Sequence, residues 1–321
     1  MRVDPDVTAS HAGRNRLQTA LLLGALALVL GILAWLLLGK YGVLGVLVLV
    51  AVMYAVAPKV SPKVVLRMYR GVELERRQAP ALFDITERLS GRAGLEHTPK
   101  LYYLPSDVLN AFTVGRRDDA VIAVSDGLLR RMEIRELAAI LAHEVAHVEH
   151  GDTRLMGFAD MLARVTGSLA SLGQLLLWIN IPMALLGQAP IPWIYVIVLL
   201  LTPGLSTLTQ LALSRTREFE ADRRGAELMG DPRPLASALK KLEKAHSGWL
   251  RHAAGPGAKL PEPSLLRTHP TTVERVARLL DLAGTLERAP VWPSEAAQAS
   301  AIAPVVQQPS RPRWHRTVAW Y

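Results

Sequence analysis

Residues 133–150 read EIRELAAILAHEVAHVEH, and the reading of this stretch decides the fold. Ile134, Leu137, Leu141, Val145 and Val148 recur at helical spacing, so an amphipathic helix is expected to run to Gly151. Within it His143 and His147 are four residues apart and share one face. Both imidazoles can therefore reach a single ion. Glu144 lies one residue on from His143, turned by about 100°, and can touch a water on that ion. The pattern is H-E-x-x-H, which pairs two metal-binding imidazoles with a general base.

The rest of the chain narrows the metal chemistry. There is no Cys among the 321 residues, so no thiolate ligand and no Cys nucleophile exist. Any metal must be held by His and carboxylates, and a site that catalyses at zinc has three protein ligands and one open position. The third ligand must come from outside the motif helix. A His six positions after the second motif His is excluded, because Thr153 stands there. The stretch 214–229, SRTREFEADRRGAELM, is charged and helical. Glu218 and Asp222 are four apart and share a face, whereas Glu220 and Glu227 point elsewhere. Glu218 is therefore the expected ligand. Asp222 is placed to accept a hydrogen bond from a ligating imidazole and fix its tautomer. The competing reading is a charged helix whose carboxylates make solvated ion pairs with Arg215, Arg217, Arg223 and Arg224.

Apolar residues make up 50% of the chain and aromatics 6%, which rules out a disordered chain. They come in blocks. Residues 17–39 and 41–57 carry no charged side chain, and residues 165–214 carry none and no His. Pro182, Pro190 and Pro192 interrupt the last block. Four spans are expected, 17–39, 41–57, 155–178 and 192–213. Arg2, Arg14 and Arg16 precede the first span, and Lys59, Lys63, Arg67 and Arg70 follow the second. That asymmetry places both termini and the soluble part in the cytoplasm. It also accounts for most of the net charge of +9. No basic stripe is interleaved with aromatics, so no nucleic-acid partner is expected.

Six segments follow: 1–16 cytoplasmic, 17–57 a membrane hairpin, 60–154 the first catalytic part, 155–213 a second hairpin, 214–288 the second catalytic part, and 289–321 a disordered tail rich in Ala, Pro, Gln and Ser. Residues 73–91 have helical spacing, and residues 100–104, 109–114 and 120–124 read as strands of a small antiparallel sheet. The fold class is mainly α: four transmembrane helices with a cytoplasmic α+β domain of zincin type.

The chain resembles the HtpX heat-shock proteases and their relatives, the CAAX prenyl proteases. The likeness rests on His143–His147 with His150-Gly151-Asp152, two hydrophobic spans, then Arg217-Glu218-Phe219-Glu220-Ala221-Asp222. Leu109-Asn110-Ala111-Phe112 with residues 120–129, and Thr268-His269-Pro270 with Glu274-Arg275, are similar to further family signatures. The likeness covers residues 15–285, and the two spans before the motif fit HtpX better than the seven-span prenyl proteases. It implies a zinc endopeptidase of the inner membrane that cleaves damaged or misfolded membrane proteins. One zinc per chain would be bound by His143, His147 and Glu218, with Glu144 catalysing. It further implies that residues 110–113 form the edge to which an extended substrate adds. His269 would be a candidate transition-state stabiliser, against a plainer role beside the helix start at Pro270 and Thr271. The expected partners are unfolded or membrane-protein polypeptides and the lipid bilayer, with oligomeric state open. The alternative is a non-catalytic membrane adaptor with a vestigial zinc site.

Overall fold

The computed structural model describes residues 62–188, 191–254 and 271–283, with scattered positions between 24 and 52. Of the first expected hairpin the described residues show an apolar helix at Gly39–Leu49, with Leu44, Leu47 and Val48 exposed. Segments 1–16 and 289–321, and His269, lie outside the described residues.

After a short helix α1 (Pro62–Met68), strand β1 (Val72–Glu73) pairs antiparallel with β2 (Lys100–Leu104). Helix α2 (Pro80–Arg92) lies between them in sequence. The helix expected over 73–91 thus begins seven residues late. Glu73 is paired with Tyr102 in the sheet, and Pro80, whose ring fixes φ, opens the first turn.

Strands β3 (Ala111–Val114) and β4 (Val121–Ser125) complete a sheet of order β1-β2-β4-β3. It is mixed rather than antiparallel: β2 and β4 run parallel, with β3 antiparallel to β4. The physical reason is burial. Every residue of β4 is buried, as suits a run apolar on both faces. It takes the central position, and the less buried β3 is left at the edge. Asn110 fastens the join: its carbonyl accepts from the Ser125 amide, and its own amide donates to Ser125 Oγ, both at 3.0 Å.

Ser125 also caps helix α3 (Asp126–Arg131). Helix α4 (Ile134–His150) carries the motif. It opens on a reciprocal capping box between Glu133 and Glu136 and closes at Gly151, whose φ of 68° only glycine adopts freely. Helix α5 (Asp152–Leu185) follows at once, and α6 (Trp193–Met229) returns antiparallel. Pro182 and Pro203 lie inside these helices. The first of them ends at Leu185, later than the 178 limit expected from Pro182, and the second starts at Trp193. The apolar span and the charged stretch 214–229 are one unbroken helix. Helices α7 (Arg233–Ala254) and α8 (Thr272–Ala283) close over α4 and α6. Leu137, Leu141 and Val145 of α4 pack with Leu89, Ile122, Met229, Leu239 and Leu279, so the motif helix is central to the soluble core.

Candidate metal centre

Two helices meet at the motif. From α4, His143 and His147 present their Nε2 atoms 3.1 Å apart, with rings edge-on at 88°. From α6, Glu218 brings Oε2 to 3.6 Å from His143 Nε2 and Oε1 to 3.8 Å from His147 Nε2. One donor atom from each residue falls in a cluster within 4.8 Å. Such spacing suits three groups about 2 Å from one ion. Among the described residues this is the one group of three or more such side chains.

The approach of the helices depends on Gly225, two turns beyond Glu218 on α6. A Cβ there would stand 3.0 Å from the amide nitrogen and 3.1 Å from the Cα of His143. The spacing argument did not single it out, although a lone Gly in a charged helical run is a signal for close backbone contact.

Each imidazole is steered from behind by an aspartate that an arginine holds. His147 Nδ1 lies 2.8 Å from Asp152 Oδ2, and Arg217 Nε donates to Asp152 Oδ1 at 2.5 Å. His143 Nδ1 lies 3.1 Å from Asp222 Oδ1. Arg275, from α8, donates Nε and Nη2 to Asp222 at 2.6 Å each. Asp222 thus stands behind His143, within ion-pair distance of its Nδ1. Asp152 was not singled out. Gly151 turns the chain back on itself, which brings a residue five positions along against His147.

Burial alone would push both aspartates up. The His147 and Arg217 contacts hold Asp152 below the usual carboxylate range, and Arg275 with His143 does the same for Asp222. Burial would also lower His147, but the bond to Asp152 and the charges of Glu218, Asp152 and Glu144 outweigh it and raise it to about 9. The reading of 214–229 as a solvated helix fails. Arg217, Glu218, Glu220 and Asp222 are all buried. Glu220 reaches Arg223 at 2.5 Å and stands 3.9 Å from His150, away from the cluster.

Glu144 is buried beside the cluster, and Thr113 Oγ1 donates to its Oε2 at 2.7 Å. Thr113 sits on the edge strand, so β3 runs alongside the site. Ala111 and Thr113 face α4, whereas Phe112 faces away, packed on Leu66 and Leu104 and 5.2 Å from the Tyr69 ring. The backbone of residues 111–113 is thus beside the cluster, and the Phe112 side chain is not.

The residues fit a divalent cation. Glu144, Asp152, Glu218 and Asp222 are four buried carboxylates facing two guanidinium groups, Arg217 and Arg275. A cation that displaces the proton held by His147 leaves both imidazoles neutral, and the two negative charges that then remain are balanced by a dication.

Residues 76–283 match Peptidase family M48. The chain is 34% identical to a protease HtpX homolog of Paraburkholderia phytofirmans over 284 residues, covering 84% of this chain and 98% of that protein. It is 38% identical to one from Acaryochloris marina, covering 86% and 97%. The crystal structure of S. mikatae Ste24p aligns with a TM-score of 0.46 at 19% identity, covering 82% of this chain and 63% of that one.

Proposed function

The chain belongs to peptidase family M48, and from that premise we propose a membrane-embedded zinc endopeptidase whose metal is held by His143, His147 and Glu218. The observation that carries the reading is the convergence of those three donors within 4.8 Å beside a buried glutamate. Helices Leu155–Leu185 and Trp193–Met229 are long and apolar enough to cross a bilayer, and with residues 17–57 they make four spans. Positive flanks put the catalytic part on the cytoplasmic side, in a bacterial inner membrane. The substrates are damaged or misfolded membrane proteins, and one zinc is bound per chain.

Zinc, when bound, lowers the pKa of a water and polarises the scissile carbonyl. Glu144 then acts as general base: its carboxylate takes the proton from the attacking water and passes it to the leaving amine. Thr113 holds the Glu144 carboxylate at the edge strand. The open side of β3 receives an extended peptide by main-chain hydrogen bonds, and the small side chains of Ala111 and Thr113 leave room above it. Asp152 pairs with Nδ1 of His147, and the Asp222 carboxylate stands 3.1 Å from Nδ1 of His143, so that Nε2 of each ring is the nitrogen left for the ion.

The test is cleavage of an unfolded membrane-protein substrate in proteoliposomes. Glu144→Gln should lower the rate by about 10²–10⁴-fold with zinc retained. Equal cleavage by both proteins would reject the assignment.

A further inference from the structure

Arg275 touches more than Asp222. Its Nη1 stands 3.0 Å from Glu218 Oε2, an ion pair without hydrogen-bond alignment, so one guanidinium spans the ligand carboxylate and the aspartate behind His143. Its counterpart Arg217 is placed 2.5 Å from Asp152. Arg275 is itself buried, at 8% exposure. It arrives on α8, whose Val276 and Leu279 are buried in the core and whose Arg278 lies 3.6 Å over the Phe219 ring, next in sequence to the ligand.

We propose that Arg275 is a positioning residue of the metal centre, holding Oε2 of Glu218 so that Oε1 alone is left for the metal. This rests on the metal-binding reading above. A carboxylate free to rotate offers a cation both oxygens, and a second oxygen would occupy the position that water needs. The guanidinium fork is rigid and planar, so it can hold two carboxylates at once. A lysine ammonium is a point charge and can serve one well. Arg275 also offsets the repulsion between the Glu218 and Asp222 carboxylates, one helical turn apart and both buried. Metal loading therefore depends on α8 being docked, a segment 54 residues beyond the ligand at Glu218.

The experiment uses the full-length protein in detergent, stripped of metal, with Zn²⁺ affinity read by chelator competition and ligand geometry read from the visible band of Co²⁺. Arg275→Met should weaken Zn²⁺ binding by about 10–100-fold. It should also shift the Co²⁺ band to the weaker absorption of a higher-coordinate ion, and added guanidinium should restore part of both. Arg275→Lys covers the case in which the methionine variant fails to fold. It should keep the unfolding temperature within a few degrees and still show weaker Zn²⁺ binding with the altered band. Arg278→Met, which loses the stacking contact on Phe219 and the exposed ion pair with Glu274 but touches no metal-binding group, should bind Zn²⁺ as the parent does. Parent-like affinity and an unchanged Co²⁺ band in a folded Arg275 variant would overturn the proposal and leave the peptidase reading standing. Absence of Zn²⁺ binding by the parent would overturn both.

Discussion

Gly225 sets how closely the two ligand-bearing helices approach, and its effect can be separated from ordinary helix propensity. In an unconstrained helix interior, Gly→Ala gains roughly 1 kcal/mol. Here the new methyl would meet the backbone of His143 at 3.0–3.1 Å. Gly225→Ala should therefore destabilise the protein, by about 1–3 kcal/mol, and weaken Zn²⁺ binding at least tenfold. Thermal unfolding with and without chelator checks both, and a stabilised variant with parental affinity would contradict the packing argument. The residues of the candidate cluster were legible because helical spacing groups them. His143 with His147, and Glu218 with Asp222, each repeat at four. Asp152, Arg217, Arg275 and Thr113 were not legible as partners, because they reach the site through a turn, a separate helix and a strand. No local periodicity encodes those contacts.

At the level of single elements, the capping box that starts α4 is also a tertiary tie. Glu136 is 3% exposed and accepts from the Glu133 amide at 2.9 Å, Ser237 Oγ at 2.7 Å and Lys241 Nζ at 2.7 Å. Burial would raise its carboxyl, but Lys241, the Glu133 amide and Ser237 together hold it below the usual 4.5. A depressed folded pKa stabilises the protein above the unfolded value and is lost as pH falls through the folded one. Glu136→Gln should then cost about 1–2 kcal/mol at pH 7, allowing for the half-exposed Lys241. The gap from the parent should narrow steadily below pH 4.5. Thermal unfolding in detergent from pH 7 to pH 3 measures it, and a constant gap would refute the assignment. The sheet shows what a sequence reading of elements misses. The strands were visible as β-rich runs, but pairing order depends on which run is apolar on both faces. That feature of residues 120–124 was the available clue to a central strand. The helix ends were likewise blurred by Pro182, which α5 accommodates.

For the whole molecule, helix length acts as a ruler. The 34 residues of α5 span about 51 Å, against a hydrocarbon layer of about 30 Å. Trp178 and Trp193, both exposed, and Asn180, whose side chain bonds both backbone groups of Ile191, mark the far end of the hairpin. In the proposed span the exposed Asp160–Arg164 pair, at 2.9 Å, would fall at the end that projects into water. With the hairpin spanning as proposed, the candidate metal centre at the foot of α5 would stand about 20 Å outside the hydrocarbon, which an extended peptide covers in about six residues. Single-span substrates with spacers of 0, 3, 6 and 12 residues before a cleavable segment should be spared at the two shortest lengths and cut at the two longest. Equal cutting at every spacer would refute the ruler. Zinc measured in the purified protein beside Glu218→Ala should give one ion per chain in the parent and a large deficit in the folded variant; a full complement in the variant would contradict the claim that His143, His147 and Glu218 share one ion.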